Sequence, residues 1–242
     1  MVAGTIHTIL KTKLSPLDYL PQGDLREKLV HLAIRGVPDS AQGHAETLLR
    51  ELRQRIRGKD LTATKVVVFG GGTGLSNIIG GDSRAEGWQK HPFKGLKEIF
   101  PLVRAVVCIT DNGGSTGELL KDLPIMAIGD IRHVLLSSIR KASLQATYGL
   151  TESECIEVTA QLTHIFNWRF QKPLRQDQGE LHEIRRRLDK LPESLQRKLH
   201  DLIDNLFEDT RINTVLERSH CFGNLIIVSA IYSYIERKKN NE

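Results

Sequence analysis

Apolar residues recur at helical spacing through the first sixty residues. Asp24 can cap one helix, and Gly36 can end it. A second segment then carries four apolar residues on one helical face: Leu48, Leu49, Leu52 and Ile56. The pattern predicts a helical extension over residues 1–63, followed by a separate domain over residues 64–242.

Two short β-branched runs, each followed by glycines, predict strands at Lys65–Phe69 and Ala105–Thr110. Buried parallel strands have this composition, and the chain between the runs is long enough for a crossover. We therefore predict an α/β fold with a parallel sheet and many helices. Two strands are few for such a sheet. Either weak strands escape recognition, or the sheet is incomplete at the C-terminus.

Helical patterns dominate the rest of the chain. Asp130 can cap a helix with four apolar residues on one face: Ile131, Val134, Leu135 and Ile139. Thr151 and Glu154 match a capping box ahead of a further helix. A charged helical hairpin is expected over residues 179–208, whereas the apolar run Asn224–Ile235 fits either a helix or a strand.

Composition and charge narrow the class of protein. The net charge is +5, from 34 basic and 29 acidic residues that mostly alternate. This favours solvated helix faces over a nucleic-acid groove, although a mild positive bias also suits a phosphorylated ligand. The first residues of the sequence do not resemble a signal peptide, and no apolar stretch is long enough to span a bilayer. The three cysteines are widely spaced. We expect a cytoplasmic protein without nucleic-acid or membrane partners, and a homo-oligomer remains open.

The first glycine-rich loop follows the first predicted strand and contains Gly70, Gly71, Gly72, Thr73 and Gly74. A helix that starts near Ser76 would direct free backbone N–H groups at this loop, which would make a phosphate site. The loop is neither the dinucleotide fingerprint, because Leu75 stands where its last glycine would be, nor a P-loop. The alternative is a tight strand-to-helix turn.

The second loop follows the second predicted strand and contains Asp111, Asn112, Gly113, Gly114 and Ser115. Asp111 would lie where open α/β sheets bind ligands, and could hold Mg²⁺ against a diphosphate or accept a hydrogen bond from a ribose hydroxyl. The glycines would let the backbone approach phosphate oxygens, and Ser115 with Glu118 matches a capping box. The alternative is an Asn-Gly turn followed by a helix cap.

Two further segments carry candidate ligand-binding residues. In "AIGDIRH", Asp130 could simply cap a helix, while Arg132 and His133 could face a phosphate or water. In "SHCFGNLI", His220 and Asn224 lie beside an apolar run, where a histidine is more often structural than catalytic.

Five motifs in order give the chain a family resemblance: "VVVFGGGTGLS", "ITDNGGSTGELL", "IGDIRHVLLSSI", "IFNWRF" and "SHCFGNLIIVSA". Over about residues 64–235 the chain resembles the CofD-like superfamily, and within it the gluconeogenesis-factor (YvcK-like) branch. The resemblance implies a Rossmann-like domain that binds a phosphorylated nucleotide ligand at the strand ends. It also implies that residues 70–74 cradle phosphate, that Asp111 binds metal or ligand, and that Asn224 lines the same cleft.

The resemblance offers two functions. The gluconeogenesis-factor branch is associated with UDP-sugar binding and with control of carbon metabolism and cell shape. The 2-phospho-L-lactate transferase branch uses Mg²⁺ to move a phospholactyl group from a guanosine diphosphate-linked donor. Many relatives have Asp-Asp where this chain has Asp111 and Asn112, and they continue past the last motif, so a truncated member is expected. We expect a UDP-sugar-type binding protein first, a Mg²⁺-dependent transferase second, and a partner-binding role of the N-terminal helices third.

Overall fold

The structure is a computed structural model that describes residues 15–58, 61, 63–111, 113–171, 173–176 and 179–239. The chain forms two compact units. One comprises Met1–Val66 and Lys94–Arg104, and the other comprises Val67–Phe93 and Ala105–Glu242. The α/β class, the parallel sheet and the helical N-terminal part are confirmed. The proposed domain boundary after residue 63 stays a prediction.

The first unit is built on two helices, α1 (Leu25–Arg35) and α2 (His44–Arg57). As predicted, Asp24 caps α1, and its carboxylate accepts from Glu27 N while the Glu27 carboxylate accepts from Asp24 N. The core of the unit consists of four buried residues: Leu20, Leu32, Ala41 and Leu49. Short 3-10 helices lie at Pro16–Tyr19 and Leu96–Glu98.

The sheet pairs β1 (Lys65–Gly70) with β2 (Leu102–Val107). Just past the end of β2, Cys108 N donates to O of Gly70, the last residue of β1, at 2.8 Å. The prediction that the second strand reaches Thr110 is wrong, because strand geometry ends at Val107, four residues before Asp111. The expectation of buried strands is wrong for one face of the sheet.

Apolar side chains of both strands lie on an open face of the sheet. Burial alternates along each strand, and Val67, Phe69 and Val106 are 51%, 74% and 47% exposed. Alternate residues of a strand point to opposite faces, so only one face of these strands is covered within the described residues.

The second unit is mainly helical. Its helices are α3 (Gly72–Ile79), α4 (Gly114–Leu120), α5 (Gly129–Ser137), α6 (Lys141–Tyr148), α7 (Glu152–Asn167), α8 (Gly179–Leu188), α9 (Glu193–Glu208), α10 (Thr210–Asn213) and α11 (Phe222–Lys239), with 3-10 helices at Trp88–Lys90 and Thr214–Glu217. The capping box at Thr151 and the hairpin of α8 and α9 are as predicted. The ambiguous apolar run is part of α11. Within the described residues, every helix is too short or too polar to cross a bilayer.

Helix α11 is central to this unit and packs against α5, α7 and α9. Its first five residues, Phe222–Ile226, are all buried. Gly223 permits a close crossing, because a Cβ there would lie 2.8 Å from both Phe166 Cα and Arg132 Cδ.

Two predicted helix caps are wrong. Gly113 is the N-cap of α4 and Ile128 is the N-cap of α5, and neither helix has a side-chain cap. Both helices begin two residues earlier than predicted, at Gly114 and Gly129, which places Ser115 and Asp130 in the first turn. The predicted apolar face of α5 is also revised, because Leu135 is 51% exposed.

Gly223→Ala should lower the free energy of unfolding by about 2–4 kcal/mol, because the added methyl group forces α11 away from α7. Urea denaturation measures this change. Gly179→Ala is the control, since a Cβ at that first residue of α8 meets no heavy atom within 4 Å. Equal stability of the two variants would contradict the proposed close crossing.

The open sheet face should bind the dye ANS. We expect Phe69→Thr to reduce ANS fluorescence with little loss of stability, because Phe69 is 74% exposed and threonine suits a strand. Tyr234→Thr removes a comparably exposed aromatic ring, 68% exposed, from α11 and should leave the fluorescence unchanged. An equal loss in both variants would argue against a dye site on the sheet.

Candidate functional site

A cleft of about 610 Å³ lies in the second unit, where the starts of α3, α4, α5 and α11 meet. Ten of the predicted ligand-binding and metal-binding residues line it: Gly71, Gly72, Thr73, Asp111, Gly113, Gly114, Ser115, Asp130, Arg132 and Asn224. Gly70, the last residue of β1, and Gly74, in the first turn of α3, are not in its wall. Asn112 lies outside the described residues.

The first glycine loop is shorter than predicted, because α3 begins at Gly72 rather than near Ser76. The first N–H groups of a helix have no acceptor within the helix, so Gly72 and Thr73 can present theirs to the cleft. Gly72 has φ +41°, and a Cβ there would lie 2.7 Å from Asp130 Oδ1. The positive φ favours glycine at this position, and a side chain there would also displace the Asp130 carboxylate.

The second loop holds Asp111 in a local turn. Asp111 is exposed, and its Oδ1 accepts from Gly113 N at 3.0 Å. Ser115 makes a long-range contact instead of the predicted cap, because its Oγ accepts from Cys221 N at 2.9 Å. Asn224 Nδ2 lies 3.4 Å from the same oxygen. The start of α4 is thereby tied to the start of α11.

Arg132 lies at the floor of the cleft and is 7% exposed. Its Nη1 donates to Phe166 O at 3.0 Å and to Asn167 Oδ1 at 2.7 Å. Both acceptors are uncharged, and across the described ranges Arg132 forms no ion pair. Burial lowers the pKa of the guanidinium, but arginine stays charged at neutral pH.

His133 contacts Arg132, with Nε2 3.0 Å from Nη2. Burial, followed by the charges of Arg132 and Arg84, lowers the pKa of His133 to about 4. The imidazole is therefore neutral at pH 7. A neutral ring can accept from Arg132 at Nε2, which leaves the guanidinium as the cation of the cleft floor.

Arg84 adds a second cation beside the start of α3. Its Nε and Nη2 donate to the two carboxylate oxygens of Asp82, each at 2.9 Å, and Nη2 also donates to Thr73 Oγ1. The hydrogen bonds from Arg84 lower the pKa of Asp82. Unlike Arg132, Arg84 thus carries its own counterion.

A third cation, Arg169, lies just beyond the end of α7. Its backbone forms an antiparallel bridge with Cys221, and Phe222 N donates to Trp168 O at 2.8 Å. Arg169 is exposed and lines the cleft. These backbone bonds fix its Cα, so only the side chain remains adjustable.

The arrangement suits an anion. Free N–H groups at helix starts and the arginine side chains favour negative charge, as in phosphate sites. The described residues contain no group of three or more side chains that could hold a metal by themselves. Asp111 and Asp130 are the acids in the described cleft wall, and Mg²⁺ commonly binds through one or two carboxylates with substrate phosphates. The residues therefore fit Mg²⁺ only together with a phosphorylated ligand.

Several residues of the cleft wall were not predicted from the sequence to bind ligand: Arg84, Thr116, Gly129, Asn167, Arg169 and Cys221. His133 was considered but not selected. Asn167, Arg169 and Cys221 lie in the motifs "IFNWRF" and "SHCFGNLIIVSA", so those motifs carried a usable signal. Arg84 lies outside all five motifs, and nothing in its surroundings marked it.

Comparison with known proteins identifies the family. The family model described as "2-phospho-L-lactate transferase CofD" matches residues 66–236. The gluconeogenesis factor of Halalkalibacterium halodurans is 42% identical over 72 residues, which are 30% of this chain and 18% of the relative. The gluconeogenesis factor of Listeria monocytogenes is 37% identical over 79 residues, 33% of this chain and 20% of the relative.

The gluconeogenesis factor of Bacillus subtilis is 39% identical over 71 residues, 29% of this chain and 18% of the relative. The matched segments thus span about a fifth of the length of these curated relatives. No solved structure matches the chain. Because the family model matches more than half of its residues, this chain belongs to the CofD family, in the branch of the gluconeogenesis factors.

Proposed function

We propose that the protein binds a nucleoside diphosphate-linked ligand of the UDP-sugar type in this cleft, as a cytoplasmic regulatory protein of carbon metabolism or cell shape. The observation that carries the proposal is the buried cation Arg132, which has no acidic partner in the described ranges. A guanidinium is costly to bury without an anion. The starts of α3, α5 and α11 surround it, and each favours negative charge.

The size and composition of the cleft support a ligand of this class. A volume of about 610 Å³ lies within the range of small-molecule and cofactor sites. The diphosphate would lie against Gly71, Gly72 and Thr73, where the absence of side chains at the two glycines permits close approach. Arg132 would supply the neutralising charge from the floor.

The regulatory part of the proposal rests on the relatives, which bear the name gluconeogenesis factor. The family resemblance associates that branch with UDP-sugars. Each match covers about a fifth of a relative's length, so the activity of the whole protein is itself part of the proposal.

A Mg²⁺-dependent transferase is the second candidate, and the description of the matching family model favours it. Asp111 and Asp130 would hold the ion together with the ligand diphosphate. Mg²⁺ there would neutralise charge that develops on the leaving phosphate. The chain's own part would be to position the donor through the helix starts and Arg132.

The test of the proposed function is a thermal-shift panel of UDP-glucose, GDP and NAD⁺, with and without Mg²⁺. A ligand that binds only the native state raises its melting temperature. We expect the largest rise with UDP-glucose, and a larger rise with GDP would favour the transferase candidate. No rise with any of these nucleotides would contradict both.

Gly72→Ala should weaken UDP-glucose binding at least about tenfold, because the methyl group displaces the Asp130 carboxylate and strains a backbone at φ +41°. Gly74→Ala is the matched control two residues away, where a Cβ meets no heavy atom within 4 Å. Calorimetric titration compares the two variants, and circular dichroism checks their folding. Equal affinities would exclude phosphate binding at the start of α3.

Asp111→Asn distinguishes the roles open to this acid. If Asp111 binds Mg²⁺ against the diphosphate, affinity for UDP-glucose rises with Mg²⁺ in the original protein and no longer does so in the variant. If it accepts a ribose hydroxyl, the variant binds more weakly by the same factor in Mg²⁺ and in EDTA. Titrations of both proteins under both conditions measure this. Four identical affinities would mean that Asp111 serves only the turn, which asparagine also supports.

A further inference from the structure

Two arginines of the cleft lack an acidic partner within the described part of the chain. Arg132 lies in the floor, where it donates to Phe166 O and Asn167 Oδ1. Arg169 lies in the cleft wall beyond the end of α7 and is exposed. The third arginine, Arg84, differs from both because Asp82 neutralises it.

Arg132 and Arg169 line the same cleft, and their positive charges repel each other. Burial lowers the pKa of Arg132, and the charges of Arg169 and Arg84 lower it further, while Cys221 acts in the opposite direction. Like charges without an acid between them raise the free energy of the unliganded protein. An anionic group bound at each arginine removes this cost and adds charge-assisted hydrogen bonds.

The backbone at Arg169 is held firmly in place. The bridge to Cys221 and the bond from Phe222 N to Trp168 O join the end of α7 to the start of α11. The Trp168 ring packs on Phe222 and Phe170, with centroids 5.2 Å and 5.8 Å apart. A cation on such a rigid base can select a ligand group by position.

The two sides of the cleft differ in charge. On the glycine-rich side, Asp130 lies against Gly72, and its negative charge opposes any further anion there. No described acid pairs with Arg169 on the other side. An acidic group of the ligand, in addition to its diphosphate, therefore finds its most favourable partner at Arg169.

We propose that Arg169 is a specificity-determining residue that binds a carboxylate or phosphate on the group attached to the nucleoside diphosphate, while Arg132 neutralises the diphosphate itself. The inference rests on the proposed function and narrows its ligand class to nucleotide-linked molecules with an additional acidic group. When the attached sugar is uncharged, the diphosphate still neutralises Arg132, but Arg169 has no anion to bind.

UDP-glucose and UDP-glucuronate test this proposal, because they differ by one carboxylate in place of a hydroxymethyl group. In calorimetric titrations with Mg²⁺, the original protein should bind UDP-glucuronate about fivefold more tightly. Arg169→Gln should remove this preference, so that the variant binds the two UDP-sugars with equal affinity. Arg169→Lys, which keeps the charge without the planar fork, should retain part of it.

Arg237→Gln is the matched control, since it removes an exposed arginine from the last turn of α11, whereas the cleft lies at the first turn. It should keep the full preference for UDP-glucuronate. Equal binding of the two sugars by the original protein, or an unchanged preference in Arg169→Gln, would overturn the proposal.

Failure of the proposed function gives a different result. If neither UDP-sugar binds, the UDP-sugar assignment is wrong, and inorganic phosphate then tests Arg169 alone. A phosphate-dependent rise in melting temperature that disappears in Arg169→Gln, but not in Arg237→Gln, supports an anion site at Arg169. An equal rise in all three proteins, or no rise in any, overturns it.

Discussion

The architecture of the cleft depends on the burial of Arg132. Desolvation of a guanidinium costs several kcal/mol, and here uncharged oxygens offset part of that cost. Phe166 O and Asn167 Oδ1 accept from Nη1, which fixes the end of α7 to the first turn of α5. Neither acceptor cancels the charge, so the fold retains a positive potential at the point where several helices begin.

Close contacts hold those helix starts together. Phe166 O also accepts from Cys221 Sγ at 3.1 Å, and Gly223 lets α11 approach the same peptide. At the opposite end of α5, Ser137 Oγ donates to Gly81 O at 2.7 Å, so the C-terminal ends of α5 and α3 are also joined. Each bond is modest, but together they fix the spacing of the helix starts before any ligand binds.

The loop that follows β2 is constrained differently. Asp111 bonds to Gly113 within its own turn, and the nearest long-range tie is Ser115 Oγ, which accepts from Cys221 N. Asp111 is therefore less firmly anchored than Arg132. This suits a site in which arginines and helix starts preform the anion pocket, while Asp111 adjusts to a metal ion or a hydroxyl group.

Local sequence by itself determined the features whose causes lie within a few residues. Asp24 forms a capping box with Glu27, and Thr151 forms one with Glu154. Each box joins residues three positions apart, so it does not depend on distant parts of the chain. The glycine runs and the ordered motifs also indicated the family and most of the cleft wall. These conclusions needed no knowledge of which segments meet.

Tertiary structure decided the features that depend on distant partners. Ser115 has the sequence of a helix cap, but its oxygen accepts from Cys221 N, 106 residues away. Arg132 was recognisable as a phosphate candidate, yet its burial follows from packing of α5 against α7 and α11. In the sequence, Arg169 is marked only by its place in the motif "IFNWRF". Only the bridge to Cys221 brings it to the cleft, because pairing between remote segments leaves no local pattern.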